Sequence, residues 1–150
     1  MWAHYSSNHT GFCLAFDTEK FDLDRRFGVD FYDVLYSESR PKINFHDDTY
    51  KDFAAVKDIS WSYEREVRLQ VTNDSLTHGS FQKDGENVYG DFYHFHPKAL
   101  VGIYSGVKAE FDFPEFRELI KNYHHPVKYY KGKLSKDKFS IDFDAPLFGN

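Results

Sequence analysis

A chain of 150 residues has the length of one domain and can bury roughly 68–70% of the surface its unfolded form exposes, so neither a disulfide nor a metal is needed to hold it together. A net charge of −5 argues against general nucleic-acid affinity, a single cysteine excludes an internal disulfide, and no apolar run approaches the ~18–20 residues of a membrane span. Aromatic residues make up 19% of the chain, so the core is expected to be built from rings, many of them tyrosines with a polar end. The lone Cys13, and the absence of a charged-then-apolar leader at Met1, point to a reducing compartment and are read as cytoplasmic.

Met1 to Asn8 reads as the last turns of a helix closed by a left-handed Gly11. Phe12 to Phe16 is a short apolar run expected as a buried strand with Cys13 an inert residue inside it. Asp17 to Arg26 is a charged loop that lacks the mid-loop Gly and terminal Glu of an EF-hand. Val29 to Tyr36 predicts a second strand, ending before Arg40-Pro41, and Asp47-Asp48-Thr49 is expected to cap a short helix through Lys57. Trp61 to Val71 alternates throughout, which predicts a strand with Trp61, Tyr63, Arg65, Val67, Leu69 and Val71 on one side and Ser62, Glu64, Glu66, Arg68 and Gln70 on the other.

Asn73 to Asn87 is polar and is expected as a long loop. Val88 to Phe95 and Ala99 to Val107 read as strands joined around Pro97. Asp112-Phe113-Pro114-Glu115 predicts a helix start, with Phe113, Phe116, Leu119, Ile120 and Tyr123 as an apolar stripe and an end before Pro126. Val127 to Leu134 and Phe139 to Phe143 predict a hairpin around Ser135-Lys136-Asp137. The layout is a single α+β domain over residues 1–150, a mainly antiparallel twisted sheet with two or three helices packed in one layer.

Three constellations carry chemistry. Glu64, Glu66 and Arg68 stand on the charged side of the Trp61 strand, ~6.5 Å apart at each step, a spacing that suits an acid and base working around a water, or a carboxylate gripping a ribose hydroxyl beside a guanidinium on a phosphate. A self-neutralising surface strand has the same pattern. Trp2, His4, Tyr5 and His9 supply hydrogen-bonding rings for a pocket that stacks a base, or equally a helix end packed into the core. His94 and His96 with His124 or His125 form no recognisable zinc spacing, and no metal site is assigned. Residues 121–150 carry six Lys against three Asp, with Tyr123, Tyr129 and Tyr130 among them, a pattern open to a phosphate or single-strand binder and to an edge hairpin protected by lysines.

Met1-Trp2-Ala3-His4-Tyr5, His9-Thr10-Gly11-Phe12-Cys13-Leu14, Phe16-Asp17, Val34-Leu35-Tyr36, Lys57 and Trp61-Ser62-Tyr63-Glu64-Arg65-Glu66-Val67-Arg68-Leu69 together resemble a bacterial family of unknown function, DUF2971. Its pattern runs M-W-S-H-Y, H-x-G-x-C-L-x-F, V-x-Y and W-x-Y-E-x-E-W-R. Val67 stands where that family has Trp. The resemblance also implies a further N-terminal region with an N-D-P-F-E motif, so the expectation is a short form of a larger family. The order of a His-Tyr element and a later Glu-x-Glu is similar to ADP-ribosyltransferase-like domains. That similarity implies NAD as a substrate, with His4 orienting the ribose, Tyr5 stacking the nicotinamide, Glu64 or Glu66 polarising the ribose hydroxyl, and Trp2, His9 and Arg68 completing the binding set.

Two readings of function stand open. One is a nucleotide-type pocket acting at a ribosyl bond, with catalytic Glu64, Glu66 and His4. The other is a non-catalytic protein that binds a protein partner or a second copy of itself through a sheet edge or aromatic patch. No cofactor is assigned beyond NAD as substrate, and neither a membrane nor nucleic acid is expected as a partner.

Overall fold

The computed structural model describes residues 2–21, 29–42, 54–71, 76–110 and 113–148. The fold is α+β, and its packing separates into two compact units: Met1–Leu23 with Phe95–Asn150, and Asp24–His94.

In the first unit, α1 (Trp2–Tyr5) precedes β1 (Phe12–Phe16), and the four-stranded sheet runs in the order β1-β8-β9-β10, with β8 Leu100–Ser105, β9 Lys128–Leu134 and β10 Ile141–Phe143. β1 lies antiparallel to β8, β8 parallel to β9, and β9 antiparallel to β10. A parallel pair requires a crossover, and α2 (Pro114–Lys121) supplies it. Pro114 sits in the first turn of α2, where its missing N–H is no loss. The helix turns Phe116 and Ile120 onto the sheet, where Ile120 joins Leu100, Ile103, Val127 and Tyr129 as the core, with Phe116 and Tyr123 against it. Phe113 and Leu119, expected on the same stripe, are exposed. The residue at the helix start is Phe113, which makes no side-chain cap; the expected cap Asp112 lies outside the described residues.

Tyr129 is 0% exposed, and its hydroxyl meets the buried Ser105 hydroxyl at 2.8 Å across the parallel pair. Its neighbour Tyr130 stacks on Tyr104, with ring centroids 4.5 Å apart. Of the three tyrosines of the basic stretch, Tyr129 is therefore buried and the half-buried Tyr130 has one ring face taken by Tyr104.

Two expectations about the start of the chain are corrected. The residues in the left-handed region are Ser7, Asn8 and His9, not Gly11; the turn is held by Thr10 and Gly11 N–H groups donating to the Ser6 carbonyl. β1 forms and pairs with β8, but Phe12, Cys13 and Leu14 are exposed, because β1 is an edge strand and only Ala15 and Phe16 turn toward packed neighbours.

The second unit is made of ribbons. β2 (Val29–Asp33) pairs antiparallel with β5 (Val67–Val71), β3 (Leu35–Ser37) parallel with β4 (Val56–Asp58), and β6 (Leu76–Lys83) antiparallel with β7 (Glu86–Tyr93). The expected single strand over 29–36 is thus two, broken at the buried Val34, whose N–H donates to the Glu66 carbonyl. The expected helix over 47–57 falls mostly outside the described residues, and its end, Lys57, is in β4.

The described part of the expected loop over 73–87, from Leu76 on, is instead the β6–β7 hairpin. Asp84 (φ 52°) and Gly85 (φ 85°) are its two-residue turn, the positive-φ pair that a type I′ connection needs, and Asp-Gly is the dipeptide that supplies it. The two strands flanking Pro97 do form, but they pair with other partners: β7 with β6, β8 with β1 and β9.

Two outcomes test this packing. A Cβ on Gly106 would lie 2.2 Å from the His9 carbonyl oxygen, so Gly106→Ala is expected to destabilise more than Tyr129→Phe, which removes one buried hydrogen bond and costs about 1 kcal/mol in denaturant unfolding. Cys13, exposed on β1, is expected to react with a thiol reagent in the native protein at the rate of an accessible thiol, where a core cysteine would react only on unfolding.

Candidate functional site

The stretch expected as one strand from Trp61 is a 3-10 turn, Ile59–Glu64, followed by a short link and β5. Local chemistry overrides the alternation. Asp58 accepts hydrogen bonds from the Ser60 N–H (2.9 Å) and the Ser60 hydroxyl (2.6 Å), which winds the chain, and Arg65 closes the turn in the left-handed region at φ 47°. Glu64, Glu66 and Arg68 therefore do not stand at even steps along a strand face, which corrects the spacing argument for them.

They nevertheless meet, through a cation. Lys57 on β4 donates to Glu64 Oε2 at 2.5 Å and to Glu66 Oε2 at 3.1 Å. Arg68 on β5 donates from Nε to Glu66 Oε1 at 2.6 Å and from Nη2 to Glu66 Oε2 at 3.4 Å, a forked pairing, while its Nη1 donates to the Ala54 carbonyl. The Glu66 N–H donates to the Tyr36 hydroxyl at 2.8 Å. The Lys57 ammonium also lies 5.0 Å from the Trp61 ring centroid.

The two carboxylates differ. The Glu64 side chain is 7% exposed and Glu66 27%. The Arg68 guanidinium, and after it Lys57, hold the Glu66 carboxyl below the usual carboxylate range, whereas hydrogen bonding by Glu64 and then Glu66 raises the Lys57 ammonium well above its ordinary value. Arg68 is raised in turn by Glu66. Glu66 is thus an ionised, oriented and partly solvent-facing carboxylate and a poor proton acceptor at neutral pH; Glu64 is a buried anchor for Lys57. Lys57 also lines a cavity of about 390 Å³, with Ser37, Glu38, Ser39, Arg40 and Asp58.

The remaining sequence-predicted residues belong to the first unit. His4 and Tyr5 are exposed at the end of α1, Tyr5 at 64%. Trp2 and His9 line a cavity of about 720 Å³ with Lys136, Lys138 and Phe139 of the β9–β10 connection. His9 Nδ1 is buried there with no hydrogen-bond partner among the described residues. Among the described residues no three His, Cys, Asp or Glu side chains gather as metal ligands, and the His96 ring accepts from the Lys98 N–H within its own turn.

Residues 1–69 match the model of a family described as a protein of unknown function, DUF2971. Over this span, a little under half of its length, the chain is similar to the DUF2971 family. Neither the curated proteins nor the solved structures give a match. Of the residues that carry the resemblance from Val34 onward, Val34 donates to the Glu66 carbonyl, Tyr36 accepts from the Glu66 N–H, and Lys57, Trp61, Glu64, Glu66 and Arg68 form the charge network, while Tyr63 and Val67 are exposed. Tyr36 and Lys57 were absent from the expected site although both stand among those residues, which was the signal that could have placed them.

The network carries an acid dependence with a fixed sign. A carboxyl held below its unfolded value stabilises the fold above that value and loses the contribution as pH falls through the folded one. Acid unfolding followed by circular dichroism is expected to show a shallower loss of stability below about pH 5 in Glu66→Gln than in the wild type, the variant being less stable at pH 7.

Proposed function

We propose that this chain binds a nucleotide-type ligand at the Lys57–Glu66–Arg68 cluster and acts at its ribosyl bond, with NAD as the candidate substrate. The observation that carries the reading is the state of Glu66: a carboxylate kept ionised and aimed by a forked guanidinium is suited to stabilising positive charge at a ribosyl carbon, since bond breaking there has oxocarbenium character. Its role is electrostatic, not that of a general base. Glu64 acts through Lys57 as a positioning residue. The adjoining cavity, with two serines, Arg40 and Lys57, has donors for phosphate or ribose oxygens. The substrate class comes from the similarity to ADP-ribosyltransferase-like domains, and the proposal rests on the second unit alone. The single cysteine supports a cytoplasmic setting. Among the described residues no helix is long and apolar enough to cross a membrane.

A second reading, a non-catalytic protein that associates with a partner or with itself, is favoured by the apolar side chains left in the open: Phe12 and Leu14 on the edge strand β1 (52% and 40% exposed), and Leu35 and Val67 in the second unit (65% and 54%).

Thermal melts with NAD, ADP-ribose and AMP separate the two. A ligand at 100 times its dissociation constant adds ~2.7 kcal/mol, several degrees for a domain of this size. The expected result is a shift with NAD or ADP-ribose that Glu66→Gln reduces, and nicotinamide release that falls by at least about 100-fold in the same variant. Absence of any shift at millimolar nucleotide, with a concentration-dependent change in molecular mass, supports association instead.

A further inference from the structure

The turn after α2 encloses a third cavity, of about 430 Å³, far in sequence from the family-matched residues and wholly within the first unit. Its floor is apolar: Ile120 and Val127 are buried core residues, with Tyr123 and Phe148 beside them. Its rim is cationic or protonatable. Arg117 and Lys121 stand one helical turn apart on α2, and His124 and His125 follow in the turn. Among the described residues no carboxylate lines it. Arg117 lies over the Phe148 ring at 5.5 Å, which fixes a guanidinium at the edge of an aromatic surface.

Basic residues near a helix C-terminus have an ordinary explanation in the helix dipole. That explanation covers Lys121, but not the cavity or the gathering of His124 and His125 beyond the helix. The final turn is moreover closed by its own backbone, with the Asn122 and Tyr123 N–H groups donating to the Glu118 and Ile120 carbonyls. The His125 imidazole is pushed below its usual value first by burial and then by the neighbouring Lys98 ammonium, which favours its neutral form, a hydrogen-bond donor to a bound anion.

We propose that this cavity binds an organic phosphate, a small molecule of mononucleotide size or less whose flat apolar body rests on Ile120, Val127 and Phe148 while its phosphate is held by Arg117, Lys121 and the two histidines. An apolar floor with a few convergent polar groups in a volume of this size is the usual make-up of a small-molecule site. The site is independent of the Glu66 cluster.

Phenyl phosphate is the first ligand to use, with AMP beside it and phenol, adenosine and inorganic phosphate as controls, each titrated into the full chain and followed by amide NMR shifts. Phenyl phosphate or AMP is expected to shift the amides of residues 117–127 with submillimolar affinity, at least about ten-fold tighter than the neutral analogues. Lys121→Glu and Arg117→Gln, both at exposed positions, are each expected to weaken binding by about ten-fold or more, and Glu66→Gln to leave it unchanged. The proposal is overturned by absence of shifts in residues 117–127 at 10 times millimolar ligand, by undiminished binding in both charge variants, or by equal binding of phenol and phenyl phosphate. Loss of binding in Glu66→Gln with the charge variants unaffected would assign the ligand to the other site.

Discussion

One ammonium group between two carboxylates organises the second unit. Lys57 lies on β4, Glu64 at the end of the 3-10 turn and Glu66 in the link just before β5, so three consecutive pieces of chain are pinned at a single nitrogen. Like charges at this separation would repel; the shared cation reverses the sign, and Arg68 does the same for the other face of Glu66. The backbone around Glu66 is fixed as firmly as its side chain, with its N–H on the Tyr36 hydroxyl and its carbonyl on the Val34 N–H. Partial exposure limits what each pair contributes to stability, and the network's value lies more in specifying where Glu66 points.

The first unit is organised differently, around rings. Tyr129 sits at the centre of the parallel β8–β9 pair, with Phe116 edge-on at 5.2 Å and Phe148 tilted at 4.8 Å, and its hydroxyl is answered by Ser105. A tyrosine can occupy a fully buried place only because that one polar atom has a partner. The core belongs to this unit: among the described residues of the second, Val34 alone is a buried hydrophobic. Its order therefore depends on ribbon hydrogen bonds and the Lys57 network more than on a hydrophobic interior.

Much of this was legible in the chain. The Phe116, Ile120 and Tyr123 spacing placed one face of α2, the Ser135-Lys136-Asp137 turn placed the β9–β10 hairpin, and the ordered Trp, Tyr, Glu and Arg pattern led to the family. What was misread has local causes. The alternation from Trp61 is genuine in sequence but loses to the Asp58–Ser60 hydrogen bonds and the left-handed Arg65, which are short-range interactions that a two-residue period does not register. Asp84-Gly85 was a hairpin signal set in a polar segment, and composition outweighed it. Lys57 stood among the residues of the family resemblance, but its role is tertiary: the local sequence does not show that its ammonium will sit between Glu64 and Glu66.

The proposed chemistry of the second unit depends on Glu66 being a pinned, ionised carboxylate. The most direct measurement is an NMR titration of the Glu66 side-chain carboxyl carbon in the native protein, with Lys57→Met as comparison. The expected result is a midpoint below the ordinary glutamate range in the wild type that rises in the variant, as the loss of one of its two cations requires. A midpoint at or above the ordinary range, unchanged by Lys57→Met, would contradict it.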